Sequence, residues 1–123
     1  MEEEYVFDFE KLDVYKKAVE FTNSAFKITD GFSKTAQYSL GDQFRRAALS
    51  VCNNIAEGSG KNTSGAKRQS YRIALDSARE CIPVISIASV QSEITASDAS
   101  KLRADCISIC RMLFKLISSV KQC

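Results

Sequence analysis

The sequence predicts an all-α protein, an antiparallel up-and-down four-helix bundle, on three observations. Chain breakers are scarce: 123 residues contain 5 glycines and a single proline, Pro83. That scarcity favours long helices with few connections. Four stretches space their apolar residues by three and four, the period of a helix face. No run has a convincing strand period, and no segment repeats internally. Four amphipathic helices on short loops bury their faces by packing around one core, and this length makes a single domain.

The first helix is placed over residues 11–30, with apolar lines Leu12, Tyr15, Val19, Phe26 and Val14, Ala18, Phe21, Ala25, Ile28. At 100° per residue the two lines are adjacent and cover about half the circumference. Gly31 follows as a natural stop. Ahead of the helix, Phe7 and Phe9 alternate with acids, which predicts an extended arm lying against something apolar.

The second helix is placed over residues 39–57, with Gly58 just past its end and GSGKNTSG as the loop. Phe44, Ala48, Val51 and Ile55 form its seam. The third, over residues 65–91, starts after Thr63 or Ser64 as N-cap. Its seam is Tyr71, Ala74 or Leu75, Ala78, Ile82, Ile85 and Ser89, and Pro83 should kink it. The fourth, over residues 97–121, starts at a Thr95–Asp98 cap and has the cleanest seam: Leu102, Cys106, Ile109, Leu113, Leu116 and Val120.

The apolar surface exceeds what a lone bundle hides. Helix 1 has its wide face, helix 2 a second side at Leu49, Cys52 and Ala56, and CIPVISIASV in helix 3 is apolar nearly all round. Exposed patches of that extent mark interfaces, so self-association is expected.

Hydrophobic residues at 45% and charged ones at 26% are those of a globular protein rather than a disordered one. The acidic start MEEEYVFDFEKL lacks the basic-then-apolar order of a secretory signal, and the apolar run at 81–92 is too short to span a bilayer. A cytoplasmic protein without membrane contact is expected. Five cysteines, with no CxxC pair and no histidine, argue against a disulfide framework or a zinc site. No metal or cofactor is expected.

Net charge is +2, unevenly spread: residues 1–30 hold eight acids and four bases, and residues 31–123 seven acids and thirteen bases. The resulting positive field permits an anionic partner. Five bases, Lys61, Lys67, Arg68, Arg72 and Arg79, fall within residues 61–79 against Asp76 alone. On helix 3, Arg68, Arg72 and Arg79 project within about 40° of one another. They read either as a phosphate-binding stripe for RNA or DNA or as solvated residues paired with Asp76 and Glu80 at i,i+4 spacing. Arg45 is a further candidate for either nucleic acid or a neighbouring subunit.

Gln43, Arg46, Ser50, Asn54 and Glu57 form a polar line beside the helix 2 seam. It reads as a hydrogen-bonding line or as a solvated helix face. Catalysis is the weakest reading, because Glu57 has no histidine and no second carboxylate nearby in sequence to share proton transfer. The GSGK segment lacks the strand and spacing of a phosphate loop. The chain is expected not to be an enzyme.

QFRRAALSVCNNIAEGSGK (residues 43–61) with YRIALDSARE (71–80) closely resembles the four-helix bundle proteins encoded within 23S rRNA intervening sequences. The accessory variability determinants of diversity-generating retroelements are related to them. The family's motif is matched by Gln43, Arg46, Ala47, Ala48, Ser50, Val51, Asn54, Ile55, Ala56, Glu57 and Gly58. FDFEKLDVYKKAVEF and MLFKLISSVK are similar to the family's first and last helices. One departure is that Asp76–Ser77 stands where the family often has Gly-Ser. The resemblance implies a homopentameric ring, no known enzymatic chemistry and, for the retroelement members, binding to reverse transcriptase and nucleic acid. In such a ring the polar line would fix register at an apolar contact, with Arg46, Asn54 and Glu57 satisfying one another, loop backbone or a neighbouring subunit. The basic stripe would be displayed once per subunit.

Overall fold

The computed structural model describes residues 4–121, all-helical where regular and without strands among those residues. A short 3-10 turn at Asp8–Lys11 leads into α1, Asp13–Thr29. Lys34–Ala36 and a π-helical turn at Gln37–Gly41 run into α2, Asp42–Ser59. α3 is Ser64–Val90 and α4 is Ala96–Ser119. Each helix packs on the next and α4 returns to α1, which closes a four-helix bundle.

The seams meet at its centre. Val14, Ala18, Phe21 and Ala25 of α1 face Phe44, Ala48, Val51 and Ile55 of α2, and the Phe21 and Phe44 rings meet edge-on at 5.8 Å. α4 contributes Leu102, Cys106, Ile109 and Leu113, all buried, while Leu116 and Val120 are only half-buried as the bundle tapers. In α3 the expected Tyr71, Ala74, Ala78 and Ile85 are buried, but Ile82 and Ser89 are not; Cys81, Val84 and Ala88 take the core instead. The buried residues Tyr71, Ala74, Ala78, Cys81, Ile85 and Ala88 keep spacings of three and four throughout, so the seam is a regular one, set one position earlier than expected at residues 81 and 88.

Three predicted details are corrected. The helical lead-in to α2 starts well before residue 39, because the Ser33 hydroxyl caps Lys34–Ala36 by accepting from the Ala36 amide at 3.3 Å, while α2 proper begins at Asp42. The π-turn that follows loosens the backbone, and the Arg45 guanidinium donates to the Gln37 carbonyl at 2.9 Å. Gly58 is not beyond that helix but buried within it, against the Tyr71 ring of α3. The arm is not extended through Phe9: the chain is extended at Phe7 and then turns, with the Phe7 amide donating to the Glu10 carboxylate at 2.7 Å.

Gly31 ends the first helix without a left-handed conformation, since no glycine among the described residues has positive φ. Pro83 sits on the exposed side of α3, whose helical assignment continues through it. Thr63, not Ser64, is the α3 N-cap, accepting from the Ala66 amide at 3.1 Å, and Thr95 does the same for Asp98. The Glu93 carboxylate clasps Ser33, accepting from its amide at 2.7 Å and its hydroxyl at 2.8 Å. This ties the α3–α4 turn to the entry of α2.

Within that turn Ser92 adopts a φ of 61°, the left-handed region that costs a side-chain-bearing residue about 1–2 kcal/mol. Ser92→Gly is therefore expected to stabilise the protein by about 0.5–1 kcal/mol, net of glycine's larger unfolded-state entropy. Urea midpoints of the two proteins check the sign.

Candidate nucleic-acid interface

The five predicted bases do not act as one set. Lys67 serves the fold: its ammonium donates to the Gly58 and Ser59 carbonyls at 3.0 and 2.9 Å, closing the open C-terminal end of α2, and lies 5.9 Å from the Tyr71 ring centre. Lys61 is exposed and 3.4 Å from the more exposed Glu57 carboxylate. Arg68 is half-buried, with a guanidinium nitrogen 3.5 Å from the Lys121 carbonyl at the end of α4. Arg72 and Arg79 are exposed. Among the described residues no carboxylate pairs with Arg68, Arg72 or Arg79, so the expected Asp76 and Glu80 ion pairs do not form.

Lys61, Arg68 and Arg72 gather at the end of the bundle where α2 stops, α3 begins and α4 finishes. Arg79 stands about two turns further along α3. There it edges a groove between α3 and α4 lined by Leu75, Ile107, Cys110, Arg111, Phe114 and Lys115, with a volume of about 480 Å³. Sequence reasoning missed Arg111, Phe114 and Lys115. The signal was Phe114, a large apolar residue beside the clean α4 seam and outside it, which is 65% exposed.

The polar line of α2 splits in two. Ser50 and Asn54 turn toward α3: the Ser50 and Ser77 hydroxyls are 2.8 Å apart, and the Asn54 amide donates to the Ser50 carbonyl at 2.9 Å and its hydroxyl at 3.1 Å. Gln43, Arg46 and Glu57 are exposed. Arg46 lies 3.4 Å from Asp42 rather than meeting Asn54 or Glu57, so these three do not satisfy one another within the chain. Ser77 is the buried point of α2–α3 contact, whereas Asp76 points outward. The departure from Gly-Ser therefore leaves the helix approach undisturbed.

On the opposite side of the bundle, α1 and α2 leave a second groove of about 430 Å³, with exposed Val19, Phe26 and Leu49 beside Tyr15 and Cys52. This is the outer apolar line of the first helix meeting the second side of the next, as the two wide apolar faces foretold. Ile87 and Val90 of the apolar stretch in α3 are also exposed.

Cys52, Cys81, Cys106 and Cys110 are free thiols, and Cys123 lies outside the described residues. A hydrogen bond with Cys110 lowers the Cys106 pKa, but its hydrogen bond with Cys81 and its burial outweigh this and push it up to about 12. The Cys110 thiol is raised too, first by its hydrogen bond with Cys106 and then by burial. Cys52, Cys81 and Cys106 behave as small buried hydrophobes, while Cys110 is half-buried and lines the α3–α4 groove. Among the described residues no group of three or more His, Cys, Asp or Glu could hold a metal ion, and no helix is long and apolar enough to cross a membrane.

Fold and surface together define a helical-bundle protein with a basic end and uncovered apolar grooves. Residues 10–115 match the family described as 23S rRNA-intervening sequence protein, and the chain belongs to that family. Its fold is similar to the crystal structure of a protein of unknown function from the S23 ribosomal protein family of Bacteroides thetaiotaomicron. That match has a TM-score of 0.80 and 20% identity, covering 86% of this chain and 99% of the other. No curated protein matches the chain. Neither description names an enzymatic activity.

Proposed function

We propose that the protein is a non-enzymatic, homo-oligomeric accessory protein that binds RNA or DNA phosphates through the basic end of its bundle. The observation that carries this reading is the state of Arg68 and Arg72, which project from one side of α3 with no carboxylate partner among the described residues. The exposed Arg72 guanidinium, and that of Arg68, which meets the Lys121 carbonyl but no described carboxylate, lie at the same end as Lys61, suit phosphate oxygens and supply counterion release rather than base readout. The apolar grooves support self-association, and the family resemblance implies a five-fold ring as its form. A ring repeats the basic end once per subunit, so weak contacts add where one nucleic acid reaches several. For a chain of the retroelement branch, a reverse transcriptase would be the protein that shares this nucleic acid.

Filter binding with a structured RNA across a salt series tests the assignment. Retention should fall steeply with salt, and Arg72→Ala should reduce the log–log salt slope by about 1 for each contact removed. Lys67→Met should leave that slope unchanged while costing about 1 kcal/mol of stability through the lost α2 cap. No retention at low salt, or retention indifferent to salt, contradicts phosphate binding.

A further inference from the structure

The α3–α4 groove pairs an apolar floor with a cationic rim. Leu75, Ile107, Cys110 and Phe114 form the floor, Arg79, Arg111 and Lys115 the rim, and no carboxylate is among its lining residues. Among the described residues, no ion pair involves those three cations. An occupant complementary to it is aromatic and acidic. The other clefts select differently: the α1–α2 groove carries no charged lining residue, two clefts between α1 and α4 mix Lys17, Lys27 and Lys101 with Glu20, Asp98 and Asp105, and another between them, floored by Leu12, Val14, Met112 and Leu116, sets Asp13 against Lys115.

One segment of the chain has the required chemistry. Tyr5, Val6 and Phe7 are exposed, Tyr5 by 76% and Phe7 by 56%, among the exposed acids Glu4, Asp8 and Glu10. Their rings form a ladder: Tyr5 meets Phe7 edge-on at 4.9 Å, Phe7 stacks on Phe9 at 5.6 Å, and Phe9 meets Tyr15 of α1 edge-on at 4.9 Å. Phe9 is the half-buried anchor; the rings beyond it have little cover.

The arm cannot fill the groove of its own chain. Its base, Asp8–Lys11, packs on α1 and α2, whereas the groove opens on the α3–α4 side. Glu4–Phe7 spans at most about 14 Å when fully extended. Crossing two helix layers of about 10–12 Å each takes more. We infer that the α3–α4 groove receives the N-terminal arm, Glu4–Glu10, of a second copy of the chain, a proposal that rests on the self-association reading above. Tyr5 and Phe7 enter beside Phe114, and the arm's carboxylates meet Arg79, Arg111 and Lys115. Donor and acceptor surfaces lie on opposite sides of the bundle, so the contact is head-to-tail, the kind that closes into a ring when the rotation permits.

Full-length protein carrying the photo-cross-linking residue p-benzoylphenylalanine in place of Phe7, mixed from isotopically heavy and light chains, tests this directly. Irradiation should join position 7 of one chain to residues 75–79 or 107–115 of another, giving mixed heavy–light cross-linked peptides. Arg79→Glu with Arg111→Glu should cut the yield about tenfold or more, as expected for like charges facing each other at an interface. Adding Glu4→Lys and Asp8→Lys should restore it. An oligomer whose cross-links fall elsewhere, or whose arm is displaced from the groove by RNA, overturns the arm assignment while leaving self-association standing. A monomer by light scattering removes both.

Discussion

Leu113→Ala is expected to lower the unfolding free energy by about 2–5 kcal/mol, the range for a leucine deleted from a core that relaxes only in part. Leu113 is fully buried in the α4 seam, in the same layer system as Ile55, Ile109 and Val51. Urea unfolding should show a lower midpoint with an unchanged slope, since the surface exposed on unfolding is nearly the same. A loss below about 1 kcal/mol would place Leu113 outside the packed core.

The second large effect is Gly58→Ala. Two forces oppose each other there. Alanine is the better helix former by about 1 kcal/mol, and Gly58 is helical, so propensity alone forecasts a gain. A methyl at that position would stand 2.6 Å from the Tyr71 Cε1 and 3.1 Å from the Ser70 Cβ. The Tyr71 ring is 3% exposed and held beside the Lys67 ammonium, so it cannot swing away cheaply. Overpacking of this kind costs about 1–3 kcal/mol, which exceeds the propensity gain. The variant should be less stable than the parent, and a rise in the thermal midpoint would show that α2 and α3 do not approach closely at Gly58.

Gly58 also shows what the sequence did and did not disclose. As a glycine at the end of an apolar period, before a loop rich in Gly and Ser, it carries the ordinary marks of a helix stop. Its role as a contact point depends on Tyr71, thirteen positions away, and spacing within one helix cannot report that. The same holds for Lys67, whose position on a basic stripe gave no hint that it reaches back across the loop to the α2 carbonyls.

Periodicity was reliable where a single face decides burial. Leu102, Cys106, Ile109 and Leu113 are buried as their spacing required, and the exposed outer line at Val19 and Phe26 was foreseen as surplus apolar surface. It failed at the ends of elements. The capped lead-in at 34–41 starts ahead of the helix expected from residue 39, because the Ser33 hydroxyl caps the Ala36 amide, Glu93 holds Ser33, and Arg45 donates to the Gln37 carbonyl. The α3–α4 groove was legible only in part: Arg79 stood out among the bases of helix 3, but its companions belong to a helix whose seam drew all the attention to its other face.

Light scattering on the purified chain at micromolar concentration tests the account most directly, because the uncovered grooves and the repeated basic end both presuppose assembly. The account predicts a particle several times heavier than the 13.6 kDa chain, with five copies as the form the family resemblance implies. A homogeneous species of 13.6 kDa would contradict it, leaving the apolar grooves exposed on a lone bundle and a single basic end to bind nucleic acid.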